Sequence, residues 1–419
     1  MNIELVTIGT ELLLGMTVDT NGAEIARALA GHGVRVVRRT SVADRADEIR
    51  DAVGDALQRS GAVITTGGLG PTRDDITKNV IAELYGAPLE FDEAVWANLL
   101  ERFARLERKV PPSNRMQAEV PRGALVLRNR WGTAPGLWLE GELGLTIMLP
   151  GVPPEMRKLL EHEVVPRLAA RASGSVIRSL TVRTSGIPES ALADRLGDVE
   201  QEIVPLSLAY LPGLEGVDVR VSAWDLAPDE ADRRLRSAAD LIRSLAGECV
   251  YGEGESDLAA LVLERARSNG LRLAVAESCT GGLIGARLTE IAGSSVVFVG
   301  GVIAYDNAVK RELLGVPEPL LQEHGAVSEP VAHTMAEGAA RRFGVEAAVS
   351  VTGIAGPSGG TPMKPVGTVW IGCVVQGTTE TRRFLFPGSR HEIRARAAQA
   401  ALLLLQRMFS AIERPVAPP

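Results

Sequence analysis

Cysteine is scarce in this chain: Cys249, Cys279 and Cys373 are the three in 419 residues. They are far apart and odd in number. That excludes a disulfide framework and a CxxC metal pair, and it fits a reducing compartment. Aromatic residues are few as well, at 4%, whereas glycine is plentiful at 44 residues. That balance suits an α/β chain with many tight turns between strands and helices. There is no excess of positive charge either. The formal net charge is −7, which argues against nucleic acid as the main partner, because phosphate binding needs clustered Lys and Arg. A local basic pocket stays open. Long apolar runs are also missing: residues 400–405 are too few to span a bilayer. The run Leu12-Leu13-Leu14 is interrupted upstream by Glu4 and Glu11 and has no basic segment before it, so it is not read as a signal peptide. A soluble, cytoplasmic protein is expected.

The length predicts two or three domains. Hydrophobic residues at 45% and charged residues at 23% are ordinary globular values. Residues 3–8, 34–39 and 62–66 read as strands and 20–31 and 45–59 as helices, with Thr20 or Asn21 capping the first. That β-α-β-α-β rhythm predicts a parallel, doubly wound sheet. Its third strand ends in TTGGLGPTRDDIT (65–77), where ligands bind in open α/β sheets. Gly67, Gly68 and Gly70 allow close backbone approach, and Arg73, Asp74, Asp75 and Thr77 supply charge and hydroxyls. The competing reading is a plain turn into a helix over 76–85, with Asp74 or Asp75 merely capping it. A helix over 92–107, loops at 114–117 and 129–136, and a strand over 143–149 closing the sheet complete this part. The middle of the chain reads as a small α+β unit. Its GLEG (213–216) fits the GxxG of an RNA-binding KH domain by letter, but strands flank it and Glu215 would face the phosphate, so it is read as a hairpin turn. The stretch GEGES (252–256) marks a domain boundary.

Residues 271–276 are an apolar run without alternation, as in a strand buried on both faces. The run leads through AESCTGG (276–282) into a helix. Thr280, Gly281 and Gly282 are expected to leave backbone N–H groups free at the helix start, where an anion is welcome. A second glycine loop, TGIAGPSGGTPMKPVGT (352–368), follows the strand at 347–351. No Ser-His-Asp set stands out, but Ser278, Ser295, Tyr305 and Lys310 are present. A lysine whose pKa is lowered by burial can serve as base to a serine. By spacing alone, Ser295 is as readily a turn residue as a nucleophile, Lys310 reads as a solvated lysine at a helix start, Tyr305 as plain core, and Arg390 as a partner of Glu392 or a solvated side chain. Cys279 is the rival nucleophile, since a thiol near a helix N-terminus ionises more easily.

The first part also carries GTELLLG (9–15) with DTN (19–21), NRMQAEVP, WGTAPG and LPGVPPEM beside TTGGLGPTRDD. The last part carries AESCTGG, AGSS (292–295), Tyr305 with Lys310, HGAVSEP, the second glycine loop and GSR (388–390). Together these motifs resemble the CinA family over essentially the whole chain. The resemblance implies an α/β chain in three parts: a molybdopterin-binding-like doubly wound domain over 1–172, a KH-like α+β domain over 173–252, and an α/β amidase domain over 253–414, before a tail at 415–419. It further implies deamidation of nicotinamide mononucleotide to nicotinate mononucleotide and ammonia, with Ser295 as nucleophile, Lys310 as base, Ser278 as relay and Tyr305 lining the pocket. Thr280, Gly281, Gly282, Thr352, Gly353 and Arg390 would hold substrate. For the first domain it implies hydrolysis of ADP-ribose to AMP and ribose 5-phosphate. The nucleotide would sit on Gly67, Gly68 and Gly70, and a divalent cation (Mg, Mn or Co) on Asp44, Asp74 and Asp75. A homodimer is expected, with no membrane partner. The alternative is a pterin- or nucleotide-binding accessory protein linked to competence or DNA damage.

Overall fold

The computed structural model describes residues 1–172 and 176–412; the expected tail lies outside them. The chain divides into two compact units, one of residues 1–178 and 222–234 and the other of 179–221 and 235–419.

The first unit is built on a six-stranded sheet in the order Arg35–Val42, Asn2–Ile8, Ala62–Thr66, Gly144–Leu149, Gly136–Gly141, Leu125–Leu127. The first three pairings are parallel and the last two antiparallel. The strand over 144–149 therefore does not close the sheet. Two further strands lie beyond it, hidden in the sequence by their shortness and by the glycines and arginines around them. The central strands bury both faces. Ile3 and Leu5 join one core with Ile25 and Leu29, while Val6 and Ile8 join the other with Ile49 and Val53. This is the two-residue alternation of a strand, with both sides covered by helices. The helix Thr20–Ala30 is capped by Asp19, which accepts the Gly22 N–H at 2.8 Å, and not by Thr20 or Asn21. Asn21 is buried and donates to the Gly151 carbonyl at 2.8 Å and to the Thr66 hydroxyl at 3.1 Å.

Over 176–253 a four-stranded sheet runs in the order Ser207–Pro212, Val217–Leu226, Val176–Thr184, Val250–Glu253. The two strands flanking GLEG are neighbours, and the Gly213 N–H donates to the Gly216 carbonyl at 2.8 Å. The segment is a hairpin turn.

The last part carries a five-stranded sheet in the order Phe298–Ile303, Leu273–Glu277, Ala347–Gly353, Thr368–Val375, Thr378–Leu385. The first three strands run parallel and the two remaining pairings are antiparallel. Leu273 and Val275 face the core lined by the helix Arg390–Ile412. Ala274 and Ala276 face the helix Glu329–Phe343 through Val331, Met335 and Ala336. Parallel strands end on the same side, so the loops after Glu277, Ile303 and Gly353 converge there. Among the described residues no helix is long and apolar enough to cross a membrane.

Candidate active site

The loop after Leu273–Glu277 is organised by an internal anion. Glu277 is buried, and its carboxylate accepts the N–H groups of Gly282 at 3.0 Å, Ile284 at 3.1 Å and Gly285 at 2.8 Å. These belong to the orphan donors at the start of the helix Leu283–Glu290. The expectation that they await an external anion is therefore corrected: Glu277 already fills that place. Gly282 makes the turn possible, with φ at +93° and space for a Cβ only 3.1 Å from the Ile303 Cδ1. The Gly281 N–H closes the turn on the Ser278 carbonyl.

Lys310 lies inside the helix Asn307–Leu314, capped by Asp306, and not at a solvated helix start. It is 1% exposed. Its Nζ donates to the carbonyls of Ala304 at 2.8 Å and Tyr305 at 3.2 Å. Burial lowers its pKa below the ordinary lysine value, against the opposing pull of Asp306. Ala304 also donates its N–H to the Glu277 carbonyl at 2.7 Å, and the Ser278 N–H reaches the Val351 carbonyl at 2.9 Å. Ser278 and the Lys310 amine thus stand at the carboxyl ends of adjacent strands.

Ser295 does not join them. It is exposed on the short 3₁₀ turn Ser294–Val296, at the opposite end of the strand Phe298–Ile303. At ~3.3 Å per residue, that strand separates Ser295 from Lys310 by on the order of 20 Å within one chain. No proton can pass directly between them. The assignment of Ser295 as nucleophile beside Lys310 is corrected for that reason, and Ser278 is the serine on the lysine's side.

Thr352 is buried and donates to the Ala326 carbonyl at 2.8 Å. Tyr305 is not core: it is 60% exposed, and Arg390 reaches its hydroxyl at 2.7 Å while holding the Gly356 carbonyl at 2.8 Å. Arg390 therefore does not pair with Glu392, which instead accepts the Ser389 N–H. Arg394 is a residue that motif reading passed over. It lies one helical turn after Arg390 and donates to the Thr280 carbonyl at 2.7 Å. Spacing of four on one helix was the available signal. The Thr280 hydroxyl is buried and has no hydrogen-bond partner among the described residues. Cys279 packs in the core, with Gly353 close against its sulfur. Burial pushes its thiol up to about 12, the reverse of an activated nucleophile.

In the first unit Gly67 sits at φ +110°, where a Cβ would fall 2.1 Å from the Ile8 carbonyl oxygen, and Gly68 packs on Thr77. The Thr77 hydroxyl and the Asn21 amide oxygen are buried without hydrogen-bond partners among the described residues. Asp75 is used by its own loop: it accepts the Gly70 N–H at 2.7 Å, the Thr72 N–H at 2.8 Å and the Thr72 hydroxyl. Asp44 accepts the N–H and hydroxyl of Thr10 at 2.8 and 3.0 Å. Among the described residues no three His, Cys, Asp or Glu side chains are grouped to hold a metal. The set Asp44, Asp74 and Asp75 does not fit a divalent-cation cage, because Asp75 is bound within its own loop and Asp44 is bound to Thr10. Lys78, also unremarked in the sequence, is buried behind this loop and donates to the Met116 carbonyl. Burial lowers its pKa to about 8.

Comparison with known proteins matches three successive segments of the chain. Residues 4–170 match a probable molybdopterin binding domain, 179–252 the damage-inducible protein CinA KH domain, and 255–409 the CinA C-terminal domain. A CinA-like protein of Gemmatimonas aurantiaca is 54% identical, covering 98% of this chain and 97% of its own. A putative competence-damage inducible protein of Symbiobacterium thermophilum is 44% identical, covering 97% and 98%. A CinA-like protein of Salinibacter ruber is 43% identical, covering 98% and 100%. With three successive domains matched and relatives aligned almost end to end, the chain belongs to the CinA family.

Proposed function

We propose that the last part of the chain is an amide hydrolase that converts nicotinamide mononucleotide to nicotinate mononucleotide and ammonia, with Ser278 as nucleophile and Lys310 as base. The observation that carries this reading is the setting of Lys310. As a neutral amine it has two N–H groups, and two carbonyls accept from its Nζ. The lone pair is then left to accept a proton, and burial favours that neutral form. In the reaction the Ser278 hydroxyl passes its proton to Nζ while Oγ bonds to the carboxamide carbon. Collapse of the adduct breaks the C–N bond, and the lysine proton leaves with ammonia. Water, deprotonated in turn by Lys310, cleaves the acyl ester and restores Ser278. Arg390 and Arg394 offer fixed charge for the substrate phosphate. The test is ammonia release from the mononucleotide. Ser278→Ala and Lys310→Met are expected to lose at least about 10²-fold, and Ser295→Ala to keep most of the rate. The opposite pattern would overturn the assignment.

For the first unit, the unpartnered Thr77 hydroxyl and Asn21 oxygen around Gly67 and Gly68 favour a second reading, binding of a pyrophosphate nucleotide such as ADP-ribose. Its hydrolysis is tested by AMP release with and without added Mg, Mn or Co. No step through a metal follows from the residues present.

A further inference from the structure

The GLEG turn (213–216) of the middle sheet carries a carboxylate onto the last part of the chain, from a stiff backbone. Ser185 donates its hydroxyl to the Glu215 carbonyl at 2.7 Å. At Gly216 a Cβ would fall 1.9 Å from the Thr184 carbonyl oxygen, so a residue with a side chain does not fit. The Glu215 carboxylate lies between two arginines. Arg183, on the strand Val176–Thr184, stands 3.1 Å from it, and Arg287, on the helix Leu283–Glu290, stands 3.3 Å from it. Both arginine side chains are largely withdrawn from water, at 18% and 15% exposure, where an uncompensated charge is costly. Arg183 has a second carboxylate, Asp218, at 2.8 Å. Arg287 is less well provided. It donates to the neutral Gln399 amide oxygen at 2.8 Å. Asp257, 3.5 Å away, is already used as the cap of the helix Leu258–Ser268, where it accepts the Ala259 N–H at 2.6 Å. Of the two carboxylates that reach Arg287, Glu215 is therefore the closer and the less committed to its own backbone.

The helix that bears Arg287 also bears the Ser278 turn. Leu283–Glu290 has eight residues, about 12 Å from end to end at 1.5 Å per residue, and is short enough to move as one piece. N–H groups at its start hold the carboxylate of Glu277, the residue before Ser278. A shift of Arg287 is thereby passed to that turn. We propose that Arg287 is a positioning residue for the Ser278 turn, and that the hairpin tip of the middle sheet locks it in place through Glu215. The middle sheet then sets the rate of the last part without touching substrate. The inference rests on Ser278 as nucleophile, while the lock itself is read separately.

The experiment compares the full chain with Glu215→Gln, Arg287→Gln and the double variant, by ammonia release from nicotinamide mononucleotide and by amide hydrogen exchange. Glutamine keeps the length of Glu215 and removes its charge. Glu215→Gln is expected to lower kcat about fivefold with KM within about twofold, a split that a purely structural role would not produce. Exchange over 278–285 is expected to speed up by about fivefold, while the strand Thr378–Leu385 keeps its rate. The double variant should lie within about twofold of the slower single variant, since both break one contact. Wild-type kcat and exchange in Glu215→Gln would overturn the proposal. So would single effects that multiply in the double variant, or faster exchange spread evenly over the unit. If the wild-type chain releases no ammonia, the amide-hydrolase reading fails and exchange alone decides: faster exchange over 278–285 in Glu215→Gln keeps the lock, and unchanged exchange overturns it.

Discussion

Glu277→Gln isolates the internal anion of the Ser278 loop. The carboxylate holds three N–H groups through two oxygens, Gly282 and Ile284 on Oε2 and Gly285 on Oε1. Glutamine has the same shape but a single acceptor oxygen. If that oxygen keeps Gly282 and Ile284, the amide NH₂ must face the Gly285 N–H. One hydrogen bond to a charged acceptor is lost, worth about 1.5–3 kcal/mol. The negative charge at the helix start also goes, worth about 0.3–2 kcal/mol. The sum is roughly 2–5 kcal/mol, the upper end being relevant because the group is buried. For a unit of about 200 residues each kcal/mol moves Tm by about 2–4 °C, so a fall of roughly 4–20 °C is expected. Scanning calorimetry of the full chain reads the shift in the transition of the unit that holds Glu277. Ammonia release should also fall, in kcat more than in KM, because the loop that presents Ser278 loses its anchor. A Tm within about 1 °C of wild type, with kcat unchanged, would refute the claim that Glu277 organises this turn.

Lys78 gives a pH signature. Its pKa is lowered from 10.5 to about 8 by burial, so between those values the unfolded chain binds more protons than the folded one, and stability rises with pH. The full term is about 3 kcal/mol, present above about pH 10.5 and lost as pH falls through about 8. Lys78→Met should flatten that slope in urea unfolding at pH 7.5 to 10.5; an unchanged slope would show that Lys78 is not its source. Cys279, with its thiol pushed up to about 12, should resist iodoacetamide at neutral pH in the folded chain, and Cys279→Ala should keep most of the ammonia release expected from the proposed reaction. Rapid labelling with loss of activity would return the thiol to the chemistry.

Much of the framework was legible because it rests on local rules. The apolar run at 271–276 reads as a strand buried on both faces, and Leu273–Glu277 is that strand. The strand–helix rhythm of 3–66 dictated parallel pairing. The short strands Leu125–Leu127 and Gly136–Gly141 were not legible, because they owe their existence to the neighbouring sheet edge and not to their own composition.

The sequence by itself determined the family, through long motifs whose joint occurrence is highly specific, and with it which residue types are available for chemistry. It could not determine which of them meet. Ser278 and Ser295 are both small hydroxyls beside glycines, and their spacing to Lys310 carries no direction. Tertiary structure decides, because a parallel strand carries its two ends about 20 Å apart: one serine is left on the far side and the other stands at the same sheet end as the lysine. The same holds for the anion at the TGG turn. Read along the chain, Glu277 is the last residue of a strand; only the fold turns its carboxylate onto three helix-start N–H groups and closes a site that looked open.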